Sequence, residues 1–165
     1  MNRTLSFKLI ASTPMIALLA ACGGATEGEG DAASAGDAPA EIAERQDNFE
    51  AIGDAFKAIR TQLDADSPDL AAIATSAGDI NERAGKITGL FPEATGMADG
   101  YDTEALATIW ESPAEFEKAA TDLVEASAAL KSAAESGDAA ATGEAAKAMG
   151  GTCKACHDKF RVKKD

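Results

Sequence analysis

The chain is predicted to be all-α, folded as an up-and-down antiparallel four-helix bundle. Three observations carry this. The 165 residues are rich in Ala, Glu, Lys and Leu and contain few β-branched or aromatic runs, a helical texture. Apolar residues recur at three- and four-residue steps through the long stretches. Pro, Gly and Ser breaks fall between those stretches, where caps and turns belong.

The first helix is marked by Ile42, Phe49, Ile52, Phe56, Ile59 and Leu63, which share one face. Ser67-Pro68-Asp69 then offers an N-cap with Pro at the first helical position. Leu70, Ile73, Ala77, Ile80, Ala84 and Ile87 continue the period as the second helix. The stretch FPEATGMADGYD (91–102) is a Pro/Gly loop without periodicity. Ser112-Pro113-Ala114-Glu115 reads as a capping box, and Phe116, Leu123 and Leu130 follow at heptad spacing. Ser136-Gly137-Asp138 breaks the chain before a last helix that runs to about Val162. Four helices of roughly 20 to 25 residues, joined by two short connections and one longer one, make the bundle.

The N-terminal region is of a different kind. Arg3 and Lys8 precede Leu9 to Ala21, which is apolar or small apart from Ser12, Thr13 and Pro14. A membrane-spanning helix needs about 20 apolar residues; this shorter run fits a secretory signal over residues 1–21. Leu19-Ala20-Ala21-Cys22 resembles the lipobox of bacterial lipoproteins, in which the cysteine is acylated. The alternative is an ordinary signal cleaved near the alanines, leaving Cys22 without a role. Residues 23–38, GGATEGEGDAASAGDA, hold no large apolar side chain and cannot bury enough surface to order themselves. They read as a flexible acidic linker reaching on the order of 20 Å. The expected organisation is a signal peptide (1–21), an anchor cysteine with its linker (22–38) and a helical domain (39–165).

Removing residues 1–21, with Arg3 and Lys8, takes the net charge from −13 to −15. A chain so acidic excludes nucleic-acid binding and adsorption by charge to an anionic lipid surface. Within it, segment 154–165 holds five bases against two acids. This basic collar either steers an acidic redox partner or complements the dipole of the last helix.

The chemistry lies in Cys153-Lys154-Ala155-Cys156-His157, which contains the one histidine of the chain. On a helix, positions three and four apart project from nearly one face. Cys-x-x-Cys-His is the attachment pattern of c-type haem in a protein matured outside the cytoplasm. Both sulfurs then form thioethers to one haem c, and the imidazole meets the iron. A structural zinc site needs four ligands, and only Cys22 could supplement these three. A thioredoxin-like pair expects a βαβ surround, and a plain disulfide leaves His157 unexplained. Only eight residues follow His157, so a sixth iron ligand must lie upstream. Met149 precedes His157 on the same helix and cannot reach the opposite side, which leaves Met97 in the loop as the one candidate. Without it the iron is five-coordinate and high-spin.

A four-helix bundle with Cys-x-x-Cys-His near its C-terminus resembles cytochrome c prime, of the class II c-type cytochromes, over about residues 40–163. Arg45-Gln46 matches the Arg-Gln of the family's first helix, and Phe49 stands where the family places the side chain that covers the distal face. Phe91-Pro92-Glu93-Ala94-Thr95-Gly96-Met97-Ala98-Asp99 resembles its loop, and Ile109-Trp110, Pro113 and Phe116 match what precedes and opens its third helix. The haem motif extends through Asp158, Phe160 and Arg161. Thr88 departs from the Trp of many members, and the lipobox and acidic linker are not typical.

The resemblance implies that His157 is the axial ligand, that Arg45 pairs with a haem propionate, and that Gln46 and Asp99 complete a haem-edge network. It implies that Phe49 covers the iron with an apolar wall and that Arg161 shields the proximal face. Plainer readings stand beside these: Arg45 as a solvated helix residue, Phe49 as ordinary packing, Arg161 as a cation at a helix C-terminus. The function expected is binding of small gases such as NO and CO at an open iron, electron transfer with a redox partner protein, or both; a low-spin carrier ligated by Met97 is the alternative. No enzyme is expected, since nothing near the iron offers a general acid or base. The expected location is the periplasm, anchored through Cys22, and the family's habit implies a homodimer. Cys22→Ser should release a freely soluble periplasmic protein, as read by membrane fractionation; a wild type already soluble after full processing would exclude the anchor.

Overall fold

In the computed structural model, residues 38–163 are described; the signal, Cys22 and nearly all of the linker lie outside the described residues. The fold is a four-helix bundle, and no strand runs through the described residues. The long helices are α1 (Ala40–Leu63), α2 (Leu70–Ala84), α4 (Pro113–Glu135) and α5 (Ala139–Phe160), with a short α3 (Thr108–Glu111) before α4. α2 packs against α1 and α4, and α4 against α5, whereas α1 and α5 meet sparsely.

The heptad residues land in the core as expected: Phe116, Leu123 and Leu130 are buried, as are Ile52, Ile59, Ile73, Ala77 and Ile80. Met149 is fully buried in the same core. α2 and α4 approach through small residues, and a polar contact fixes their register. Asn81 donates to the Val124 carbonyl at 2.7 Å and to Ser127 Oγ at 3.1 Å. Ser127 in turn donates to the Leu123 carbonyl, so this buried hydroxyl is satisfied.

The caps differ from expectation. Asp69, not Ser67, caps α2, its carboxylate accepting from Ala72 N at 3.0 Å. A carboxylate at this position reaches the free amides of the first turn, so Pro68 falls before the helix rather than inside it. α2 is 15 residues long; Ile87 keeps the core phase from a 3₁₀ turn, Ile87–Leu90, rather than from the helix. Pro113 does open α4, but Ser112 makes no side-chain cap. Without that cap the capping box does not form, and Glu115 pairs with Lys159 of α5. α5 begins on the Asp138 cap and stops at Phe160, because Arg161 bridges to Ala105 in an extended conformation.

Alternating helix direction brings the start of α1, the end of α5 and the long 85–112 connection to one end of the bundle. There the connection is stitched to α5. Leu106 N donates to the Phe160 carbonyl at 3.1 Å, Val162 N to the Glu104 carbonyl at 2.9 Å, and Thr108 Oγ1 to the Lys159 carbonyl at 2.9 Å. Within the connection, Gly96 lies beneath Trp110: a Cβ there would sit 2.7 Å from Cζ3 of the indole. The indole cannot yield easily, since its Nε1 donates to the carbonyls of Phe91 and Pro92 at 3.1 Å each. Gly96→Ala should therefore lower stability by about 1–3 kcal/mol through overpacking, measured by urea unfolding; an unchanged midpoint would show that the ring moves freely.

Candidate functional site

Gly143, Ala146, Gly150, Cys153 and His157 succeed one another at steps of three and four along α5, so they share one face. A groove of about 320 Å³ separates the first half of α5, Gly143 to Gly150, from the second half of α1; Phe56, Leu63 and Ala146 line it beside the charged Arg60, Asp64 and Lys147. The small residues of α5 keep it open. At Gly150 a Cβ would already come within 3.3 Å of the Phe56 ring.

Cys153, Cys156 and His157 are half-buried at the site end of α5, and the two thiols are not joined in a disulfide. Burial pushes the Cys153 thiol up. Burial, then the neighbouring Cys153, raises Cys156 to about 11. Protonated thiols of this kind are unlike the low-pKa thiolate of a dithiol redox enzyme. Burial, and secondarily the Arg161 charge, lowers the pKa of His157 against the opposing pull of Glu104 and Asp158. Its imidazole is therefore neutral at pH 7, the form that ligates a metal. Among the described residues no three His, Cys, Asp or Glu side chains converge to hold a metal ion. Donors set side by side along one helix do not enclose a zinc. They do suit a planar macrocycle attached at two points and ligated at a third, so the residues fit haem c.

The other expected site residues gather at the same end but bond to protein. Arg45 is buried, 2% exposed. It donates to Thr95 Oγ1 at 2.9 Å, to the Thr95 carbonyl at 2.5 Å and to Thr103 Oγ1 at 3.0 Å, and its guanidinium lies 4.7 Å from the Phe91 ring centre. All three acceptors are uncharged, and burial lowers its pKa. Gln46 donates to the Asp102 carbonyl at 3.1 Å. Asp99 is exposed and accepts from Gly96 N at 2.8 Å, closing the 3₁₀ turn Met97–Asp99. Arg161 is exposed, with Nε 3.6 Å from Glu104. Met97 is 47% exposed, and its N–H is held by the Ala105 carbonyl at 3.0 Å.

Three bases of the collar are paired with acids: Lys154 with Asp158, Lys159 with Glu115 and Arg161 with Glu104. Glu115 and Glu104 thus offset part of the charge that segment 154–165 would use for steering; Lys164 lies outside the described residues.

Phe49 is half-buried and belongs to the same apolar cluster as Phe56, Cys153 and Cys156. It begins a run of rings through the site end of the bundle. Phe49 meets Phe91 edge-on at 6.2 Å, Phe91 meets Phe116 at 4.9 Å, and Phe116 meets Phe160 at 5.2 Å. The sequence reading missed Thr95 and Thr103 as the partners of Arg45; no local signal links residues so far apart. It also missed Phe91 as the centre of the ring cluster, although an aromatic at the mouth of a Pro/Gly loop was a hint.

The profile of the family Cytochrome C' matches residues 40–161. The chain is similar to cytochrome c' of Pararhodospirillum photometricum, 38% identical over 117 residues that span 71% of this chain and 92% of that protein. It is similar to cytochrome c' of Rhodospirillum rubrum, 37% identical over 130 residues, 79% of this chain and 87% of that one. Among solved structures, cytochrome c prime from Shewanella frigidimarina superposes with a TM-score of 0.69 at 31% identity, covering 75% of this chain and 95% of that chain.

Arg45→Met should cost roughly 2–4 kcal/mol, because Thr95 loses a charged donor inside the protein. Arg45→Lys should recover little, since an ammonium lacks the fork that reaches Thr95 and Thr103 together. Urea unfolding measures both; full recovery by Lys would show that charge alone suffices.

Proposed function

Because the chain belongs to the cytochrome c' family, we propose that it is a haem c protein of the periplasm whose iron is five-coordinate and high-spin. Its role is electron transfer, binding of small gases such as NO and CO, or both. The observation that carries this reading is the site end of α5: two half-buried thiols packed with Phe49 and Phe56 against one apolar cluster, and a neutral imidazole one turn after Cys153.

When bound, haem c supplies an iron that moves between ferric and ferrous states and accepts a small diatomic ligand. Cys153 and Cys156 would hold the macrocycle through thioethers, and His157 would provide the axial nitrogen. Arg45 is a buried cation bonded only to uncharged oxygens; its charge favours an anionic propionate at the pocket edge. Gln46, Asp99 and Arg161 belong to the rim. Phe49 offers no ligand and no hydrogen bond, so its side of the site excludes water and disfavours anions while admitting neutral gases. The proposed role is that of a carrier or gas binder rather than an enzyme.

Met97 as a sixth ligand finds less support, since its side chain is exposed and its backbone is tied to Ala105. Cys22 would anchor the protein by acylation, with residues 23–38 as the linker to the domain. No described helix is long and apolar enough to cross a membrane. A homodimer and an unidentified redox partner complete the proposal.

The ferrous protein should show a high-spin absorption spectrum, and Met97→Ala should leave it unchanged. Phe49→Ala should speed CO and NO association by less than the roughly hundredfold that displacing a fully buried ring would be worth, since Phe49 is half-buried. A low-spin ferrous spectrum that turns high-spin in Met97→Ala would replace this reading with the six-coordinate carrier.

A further inference from the structure

We infer that Phe91 is a positioning residue for gas binding: it is the fixed wall that sets the resting place of Phe49 and limits how far that ring can swing. The inference rests on the reading of Phe49 as the apolar cover of the site.

Four groups surround the Phe91 ring. The Arg45 guanidinium lies 4.7 Å from its centre, the Phe116 ring 4.9 Å away at 69°, the Trp110 ring 6.5 Å away at 53°, and the Phe49 ring 6.2 Å away at 70°. Its own carbonyl accepts the Trp110 indole N–H at 3.1 Å. Arg45 cannot shift without breaking its bonds to Thr95 and Thr103. Phe116 is buried and packs in turn on Phe160. Phe91 is thus held by cation, rings and backbone together.

Phe49 is held far less. Both rings are half-buried, but where Phe91 meets a cation and three rings, Phe91 is the one ring partner of Phe49 among the described residues. An edge-on aromatic pair has a preferred angle and resists displacement, so the mobile ring takes its position from the fixed one. The two stand on different elements, α1 and the long connection, and nothing in local sequence joins them. Shortening Phe91 to Leu opens room behind Phe49, into which that ring can retreat when a diatomic enters.

The test is a double-mutant cycle on the haem-loaded protein, with CO association to the ferrous form as one readout. The other is the ring-flip rate of Phe49, from aromatic NMR line shapes of the diamagnetic CO complex. In the unmodified protein the Phe49 flip should be hindered; free, fast flipping would overturn the inference, even if no Phe91 variant folds. Phe91→Leu should quicken the flip and raise the CO rate by about two- to tenfold, the worth of one edge-on ring contact. In the Phe49→Ala background the same change should add nothing. Phe91→Tyr, which keeps the ring, should retain the wild-type rate. An equal acceleration in both backgrounds would show that Phe91 acts without Phe49 and would overturn the inference. So would no acceleration by Phe91→Leu where Phe49→Ala does accelerate. If Phe49→Ala itself leaves the CO rate unchanged, the covering role of Phe49 fails first, and the inference falls with it.

Discussion

A guanidinium taken out of water must recover its hydration from fixed oxygens, and at Arg45 those oxygens dictate the local structure. Thr95 and Thr103 lie on a loop whose own backbone pairing is limited to short turns and the Met97–Ala105 bond, yet both must reach one side chain of α1. Meeting that demand folds residues 91–105 into a compact cap over the bundle end. It aligns Phe91 under the guanidinium, Gly96 against Trp110, and Ala105 against Arg161. Thr95 Oγ1 also donates to the Pro92 carbonyl at 2.7 Å, so one hydroxyl both accepts from the cation and closes a turn. Several neutral contacts could each be lost separately; this one holds the cap as a unit.

The cap explains how an unequal bundle can be stable. α2 and α4 form a close, Ala-rich interface pinned by Asn81 and Ser127, while α1 and α5 stay apart along most of their length. Two helices with a groove between them need a brace, and the connection supplies it by bonding to α1 at Arg45 and to the end of α5 at Phe160 and Val162. The open side of the bundle is the side on which Cys153 and His157 lie. Rigidity and vacancy are thereby assigned to different helix pairs of one small domain.

How much of this could be read in advance follows from the range of each interaction. Helix phase is a local property, and Ile52, Ile59, Ile73, Ile80 and Leu130 went inside as their spacing required. The Cys153, Cys156 and His157 motif is likewise local, and the family likeness is shown by the profile match. Caps were harder, because neighbouring polar residues compete. Asp69 won over Ser67, and at the start of α4 Ser112 gives no side-chain cap while Glu115 also pairs with Lys159. Arg45 was identified as important, but its partners lie 50 and 58 residues away. Periodicity carries no information about such a pairing. The same holds for part of the collar: Lys154 finds Asp158 one turn along its own helix, a local pair, but Lys159 meets Glu115 only when α5 packs on α4, and Arg161 meets Glu104 only when the long connection docks.

The stitching of α5 to residues 104–108 bears on the last turn of the chain's final helix. Such a turn normally frays, because its carbonyls lack partners and the chain beyond it is loose. Here the carbonyls of Lys159 and Phe160 are taken by Thr108 and Leu106, and the His157 carbonyl receives Arg161 N. Opening this turn therefore requires the long connection to detach as well, which moves it from the fraying class of motions toward subglobal unfolding. An imidazole carried there keeps its orientation on the timescale of domain opening rather than of end fluctuation. His157, although it lies in the last turn of its helix, is thus tied to the long connection as well as to α5 itself.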